Sequence, residues 1–132
     1  MMDNTVTLVG NLTRDPELKR INNGQAVASF ALAVNRSWTD PATKQRREAT
    51  SFFDVTCWRE LAENAAGSLR KGARVMVAGR LEQRSWEDQG GDKRHKVEVV
   101  ADDVGLSLRW ASATVTRNDR PTTAPVAAEA PF

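Results

Sequence analysis

The sequence is poor in cysteine and histidine, and it contains no tyrosine. Its one cysteine, Cys57, excludes a disulfide within the chain and a zinc site built from several cysteines. Its one histidine, His95, leaves neither a set of nitrogen ligands for a metal nor the usual serine–histidine or cysteine–histidine machinery. Asp54 and Glu60, the nearest candidates for an acidic metal pair, have no histidine to support them. We therefore expect no metal, no cofactor and no catalytic activity.

Long apolar runs and an excess of charge of one sign are also missing. No stretch approaches the ~20 apolar residues that span a bilayer, and the first residues have neither the basic nor the apolar region of a targeting signal. The 19 basic and 17 acidic side chains give a net charge of +2, which excludes a histone-like polycation and an acidic disordered chain. We expect a cytoplasmic protein that does not contact a membrane.

The composition changes near residue 112, where threonine, alanine and proline begin to dominate. Residues 113–132 contain too little apolar surface to offset the entropy cost of ordering them. We interpret this segment as a flexible, disordered C-terminal tail. Residues 1–112 are enough for one domain with its own core, and the net positive charge belongs to this domain because the charges of the tail cancel.

Apolar and polar residues alternate through most of residues 1–112, which predicts an all-β fold. The predicted strands are residues 5–12, continued by 17–21, then 25–37, 50–58, 73–86 and 94–101, with a short terminal strand at 106–110. Only residues 59–69 have helical spacing. Three strands, one helix and a final hairpin are the order of the OB-fold, a five-stranded Greek-key barrel with one helix between strands 3 and 4. In its last two strands we expect Val75, Val77, Leu81, Val97 and Val99 to point inward.

The strand at residues 50–58 has an unusual polar face. Its alternate side chains Phe53, Val55 and Cys57 form an apolar set that belongs in the core. The other face is polar at Asp54 and Thr56, yet it carries the large rings of Phe52 and Trp58. Rings of this size on a polar face need a cover, and a ligand, a subunit interface and the packing helix all remain open as that cover. Burial of Cys57 favours a reduced thiol over the alternative, an inter-subunit disulfide.

Two hairpins combine a tryptophan with a cluster of cations. The first set is Trp38 with Lys44, Arg46 and Arg47, and the second is Trp86 with Arg84, Lys93, Arg94 and Lys96. Such sets suit single-stranded nucleic acid, because bases stack on rings of any kind while lysine and arginine contact the phosphates. The one predicted helix carries Glu60 and Glu63, which are unsuited to the major groove of a duplex.

Several motifs point to one family. They are VTLVGNL at residues 6–12, DPE at 15–17, NGQAVASFALAV at 23–34, SW at 37–38, LAE at 61–63, LRKG at 69–72 and WEDQG at 86–90. In these motifs the chain resembles the bacterial single-stranded DNA-binding proteins, and it looks like a short-tailed paralogue of the actinobacterial type. The resemblance implies a homotetramer of OB-folds that binds single-stranded DNA without strong sequence preference, near the nucleoid, in replication, recombination and repair.

The resemblance also assigns roles to residues of this chain. The family's base-stacking aromatics fall on Trp38, Phe52, Trp58 and Trp86, and its phosphate contacts include Lys71 and Arg84. Phe52 stands where tryptophan is common in the family. Asp54 and Glu60 stand where some members have basic residues, which argues against phosphate contacts at these two positions.

The end of the chain departs from the family pattern. Family members close on several acidic residues followed by an apolar pair, and that tip recruits replication and repair proteins. This chain retains Pro131 and Phe132, but Glu129 is the only acid nearby. The resemblance therefore implies weak recruitment of partners through the tail.

A second binding function stays open beside the first. An OB domain of this size also suits an RNA-binding protein or a primosome-type accessory factor. Trp38, Trp58 and Trp86, together with the two long hairpins, favour single-stranded DNA.

Overall fold

The computed structural model of the protein describes residues 3–119. They form β1 (Val6–Leu12), β2 (Glu17–Arg20), β3 (Ala26–Thr39), β4 (Arg46–Trp58), α1 (Arg59–Ser68), β5 (Arg74–Glu87) and β6 (Lys93–Leu106). The order agrees with the order predicted from the sequence, but β4 and β6 are several residues longer than expected. The described residues contain no helix long and apolar enough to cross a membrane.

The strands form one sheet that closes into a barrel. Its order is β1-β5-β6-β4-β3-β2, and β1 also pairs with β3 at Asn11 and Leu12. The closed ring therefore contains five strands, while β2 pairs only with β3 at the outside. The pairing of β4 with β6 is parallel and the other pairings are antiparallel. With α1 between the third and fourth strands of the ring, the predicted all-β OB-fold is confirmed.

The core follows the predicted alternation in most strands. Ala28, Phe30, Leu32, Val55, Val75, Val77 and Val99 are almost completely buried. The helix adds Ala62 and Ala65, and Leu69 follows at its C-terminal end. Burial of this apolar surface is the main favourable contribution to folding, at roughly 25 cal/mol per Å².

The predicted inward positions Leu81 and Val97 are wrong. The two side chains are 42% and 59% exposed. They lie on one face of the β5–β6 hairpin, where Gln83 pairs with Val97. Leu81 lies beyond the last pair of β1 with β5, which is Val6–Gly79. Val97 lies beyond the parallel contact of β4 with β6, which is confined to Val55–Val99 and Thr56–Val100. Alternation in the sequence gives the face of a residue, but not the point at which the core ends.

The predicted strand at residues 106–110 is also wrong. Strand β6 itself continues to Leu106, and no strand forms in residues 107–119, which complete the described part of the chain. The Ser107 N–H still donates a hydrogen bond to the Arg74 carbonyl. After that bond the chain turns away, and the Arg74 guanidinium lies 4.7 Å from the centroid of the Trp110 ring.

Residues 113–119 have no regular secondary structure, yet they lie against the helix. The Asn118 side-chain amide donates hydrogen bonds to the Asn64 oxygen at 2.9 Å and to the Glu60 carboxylate at 3.3 Å. The first residues of the segment interpreted as a tail therefore follow α1 back toward its N-terminal turn.

Two glycines permit close approaches between strands. At Gly10, a Cβ atom would lie 2.6 Å from the Ala33 carbonyl oxygen, beside the point where β1 meets β3. Gly79 stands at a register shift between β5 and β6, where a Cβ would lie 2.9 Å from the Ala101 Cα. Register shifts of this type are β-bulges, which bend and twist the strands of barrels.

Cys57 lies inside the barrel with no exposed surface. Burial raises the pKa of its thiol to about 12, so the group is protonated at neutral pH. The sulfur cannot reach a second chain unless the barrel opens, which argues against the alternative of an inter-subunit disulfide.

We expect Cys57 to resist thiol reagents in the native protein, because the thiolate is the reactive form and the barrel excludes the reagent. At pH 8, labelling should proceed only at the rate of unfolding, while the same reagent in denaturant should label the thiol at once. The measurement is labelling followed by mass spectrometry. Rapid labelling in native buffer would contradict the buried position.

Candidate nucleic-acid interface

One face of the sheet continues from β4 across β6 to β5. Thr56 is the register partner of Val100, and Val100 is the partner of Arg80, so outward side chains on these strands share a surface. We call this surface the outer face. It carries Phe52, Asp54, Thr56 and Trp58 from β4, Arg94, Lys96, Glu98 and Val100 from β6, and Arg80, Glu82, Arg84 and Trp86 from β5.

Three aromatic rings are exposed on the outer face. Phe52 is 69%, Trp86 45% and Trp58 39% exposed. The register partner of Phe52 on β3 is the small Ala33, which leaves the phenyl ring uncovered. The Arg84 guanidinium lies 5.8 Å from the centroid of the Trp86 ring. The sequence-based expectation that large rings stand uncovered on a polar face is confirmed for the described chain.

Trp38 does not lie with the other three rings. It pairs with Arg47 across the β3–β4 hairpin and belongs to the alternate set of β3 that includes the buried Phe30. Because side chains alternate across a strand, Trp38 faces the other side of this hairpin from Phe52. Its ring is exposed, and the Arg36 guanidinium lies 5.1 Å from the ring centroid.

The cations at the centre of the outer face are paired with carboxylates. Lys96 Nζ lies 2.9 Å from Asp54 Oδ2, and Arg84 Nε lies 3.8 Å from Glu98 Oε1. The Thr56 hydroxyl donates a hydrogen bond of 3.3 Å to Glu98 Oε2. The Glu98 side chain is only 12% exposed, so it is held between these partners. An anion that binds here must compete with carboxylates already in place.

The cations of the hairpin ends are held in a similar way. Arg94 Nε donates a 2.8 Å hydrogen bond to Asp88 Oδ2, which keeps the pKa of Asp88 below its ordinary value. Arg47 lies 3.8 Å from the Asp40 carboxylate. Arg46 donates to the Ser37 hydroxyl at 3.0 Å. These contacts orient the guanidinium groups at the rims of the two hairpins.

Three of the predicted phosphate ligands differ from the others because they have no carboxylate partner in the described residues. Within residues 3–119, the side chains of Lys44, Lys71 and Lys93 form no ion pair with any carboxylate. Lys71 is not brought to the outer face, because it lies in the turn between α1 and β5, where its backbone N–H donates to Asp15. Lys44 lies at the turn of the β3–β4 hairpin in the left-handed backbone region, with φ of 60°.

Comparison with known proteins decides the family. The model of the "Single-strand binding protein family" matches residues 3–107. This chain belongs to that family. It is 46% identical over 119 residues to a "Single-stranded DNA-binding protein" of Paenarthrobacter nicotinovorans, covering 89% of this chain and 70% of the relative. It is 48% identical over 120 residues to the protein of the same name from Mycobacterium tuberculosis, covering 89% and 73%.

A solved structure supports the fold of this family member. The chain superposes on the "Plasmodium falciparum SSB complex with ssDNA" with a TM-score of 0.76 and 27% identity. The match covers 81% of this chain and 97% of the other. The sequence-based resemblance is therefore confirmed, and single-strand binding proteins are not enzymes.

Two cations at the α1 end of the outer face were missing from the residues predicted from the sequence. Arg59 and Arg80 line a cavity of about 410 Å³ together with Trp58. Arg59 is the next residue after Trp58, and Arg80 has the same strand parity as Arg84, so both signals were present in the sequence. They lie apart from the two clusters of cations at the hairpin turns, and the cavity that brings them together forms only in the folded chain. Pro131 and Phe132, the predicted partner-binding residues of the tail, lie outside the described residues.

Proposed function

We propose that this single-strand binding family member binds single-stranded DNA without strong sequence preference, with bases stacked on Trp38, Phe52, Trp58 and Trp86. The observation that carries the proposal is the outer face, where three exposed rings share one surface with the cations of β5 and β6. Stacking on each ring contributes about 1–3 kcal/mol and tolerates any base. The bound strand would be protected during replication, recombination, repair or chromosome processing near the nucleoid.

Phosphate binding proceeds by exchange in this proposal. A phosphate that approaches Lys96 or Arg84 replaces Asp54 or Glu98 as the partner of the cation. The phosphate contacts proposed for the whole chain are Lys44, Arg46, Arg47, Lys71, Arg84, Lys93, Arg94 and Lys96. Because these cations neutralise phosphates and release counterions, binding should weaken steeply with salt.

We also propose that the protein assembles as a homotetramer and recruits partners only weakly through Pro131 and Phe132. Two observations support assembly. The edge of β1 from Val6 to Val9 pairs with β5 on one side only within the described residues, and an unpaired edge is a template for a second chain. Large apolar side chains are exposed at Met76, Leu108 and Trp110, where a subunit interface would cover them.

Titration with oligo-dT tests the proposed DNA binding. Stacked indoles should lose much of their fluorescence as oligo-dT is added, and the logarithm of the affinity should fall linearly with the logarithm of salt concentration. The measurement is tryptophan emission at several salt concentrations, with duplex DNA of equal length as control. Absence of quenching, or equal binding of the duplex, would contradict the stacking mechanism.

We expect Asp54→Asn to strengthen binding of oligo-dT about threefold, because it removes a negative charge from the outer face and frees Lys96 for phosphate. The salt slope should steepen by up to about 0.7, the value for one more contact to a single strand. Glu17→Gln makes the same charge change on β2, away from the face, and serves as the matched control. If both variants bind more tightly by the same factor, the effect belongs to net charge and not to the Asp54–Lys96 pair.

A further inference from the structure

The end of the outer face next to α1 contains a cavity that lies away from the turns of both hairpins. Its volume is about 410 Å³, and its lining includes Trp58, Arg59, Leu61, Arg80 and Asp102. Volumes of 300–1,000 Å³ are typical of pockets for small ligands. The indole of Trp58 gives this cavity an aromatic wall, and the two arginines make it a combined aromatic and cationic site.

Arg59 has an unfavourable backbone conformation and an unfavourable charge for its position in the fold. Its backbone φ is +60°, in the left-handed region where side chains other than glycine are strained. It stands in the first turn of α1, the positive end of the helix dipole, where a cation is unfavourable. Within residues 3–119 its guanidinium forms no hydrogen bond or ion pair. Strain in a residue that gains nothing from the fold is typical of functional sites.

Arg80 is fixed by two carboxylates. Its Nε and Nη2 atoms lie 2.8 Å and 2.7 Å from Glu82 Oε2, and Nη1 lies 3.5 Å from Asp102 Oδ1. A guanidinium has five N–H donors, so these contacts leave donors for another anion. The Arg80 guanidinium is therefore held in a fixed orientation beside the cavity. The Arg59 guanidinium, in the described part of the chain, has all its N–H donors available for a ligand.

We propose that Arg59, assisted by Arg80, binds the phosphate of a nucleotide whose base stacks on Trp58. The bound strand then extends along the outer face from the Trp86 hairpin past Phe52 and ends beside the first turn of α1. Planar guanidinium groups suit this task, because they bind phosphate oxygens through paired hydrogen bonds. The inference rests on the proposed binding of single-stranded DNA and adds to it a phosphate site away from the turns of both hairpins.

The test compares Arg59→Gly and Arg80→Gln with the unmodified protein, using oligo-dT at several salt concentrations. Glycine adopts a φ of +60° without steric strain, so Arg59→Gly should have an equal or higher melting temperature than the unmodified protein. Its affinity for oligo-dT should nevertheless fall about tenfold at low salt, the loss of one charge-assisted phosphate contact. The salt slope should decrease by about 0.7. Arg80→Gln should change affinity and slope in the same direction.

Lys19→Gln is the matched control, because it removes one positive charge from β2, away from the outer face. It should retain the affinity and the salt slope of the unmodified protein. If the unmodified protein binds oligo-dT and both arginine variants bind it equally well, the phosphate site is refuted while the proposed function stands. Equal losses in all three variants would also refute the site, since they would reflect total charge. If the unmodified protein fails to bind, the proposed function itself fails and the site fails with it.

Discussion

Replacing Trp86 with alanine is expected to weaken binding of oligo-dT by about 1–3 kcal/mol, or roughly 5- to 150-fold. Trp86 is exposed on the outer face, and its ring is accompanied by the Arg84 guanidinium. Alanine removes the surface on which a base stacks and leaves Arg84 without its aromatic neighbour. The measurement is a binding isotherm by fluorescence anisotropy of a labelled oligonucleotide, which does not depend on tryptophan emission.

Two variants of the same hairpin make this result specific. Trp86→Phe retains a ring and should restore most of the affinity that alanine loses. Val97→Ala removes an exposed apolar side chain from the other face of the hairpin, so it should leave binding unchanged. An equal loss in Trp86→Ala and Val97→Ala would show that the hairpin responds to any truncation, and would argue against stacking at Trp86.

Gly79→Ala is expected to destabilise the fold by about 3 kcal/mol. The added methyl would overlap the Val100 carbonyl oxygen and lie 2.9 Å from the Ala101 Cα. Both obstacles are backbone atoms of β6, which cannot turn aside as a flexible side chain would. For a domain of this size, the melting temperature should fall by about 10–20 °C, measured by circular dichroism.

Gly105→Ala is the matched control for this substitution. Gly105 also lies in the β5–β6 pairing, but a Cβ at this position meets no atom within 4 Å. Its effect on the melting temperature should therefore be small. A similar loss of stability in both variants would mean that the cost arises from glycine entropy or strand propensity, and not from the close approach at the bulge.

The closed barrel could be predicted from the order of the elements, which is that of the OB-fold. The strands and their faces could be predicted from the sequence, because alternation is a local property that survives in the fold. The faces of Phe52, Phe53 and Val55 were correctly assigned for the same reason. Leu81 and Val97 were misassigned because a strand gives no local sign of where the barrel ends and the free hairpin begins. That end is set by where β1 stops pairing with β5 and where β4 stops pairing with β6, and both pairings join residues more than 40 positions apart.

The outer face could be predicted in part. Its rings follow from strand parity, but its ion pairs do not, because Asp54 and Lys96 meet only through the parallel pairing of β4 with β6. The separation of Trp38 from Phe52 follows from the hydrogen-bonded register of β3 with β4, and this register extends well past the residues that the sequence assigned to each strand. Arg59 adjoins Trp58 in the sequence, but its backbone strain and the cavity beside it are visible only in the folded chain.

The position of Trp38 on the far side of the β3–β4 hairpin limits the shape of any bound strand. A straight strand can follow Trp86, Phe52 and Trp58 along one surface, but it cannot also reach a ring on the reverse of the hairpin. To contact all four rings, the strand must pass around the hairpin's rim, where Arg46 and Arg47 stand on opposite faces. Its two ends then lie closer together in space than its contour length suggests, so engagement of the fourth ring compacts the nucleic acid.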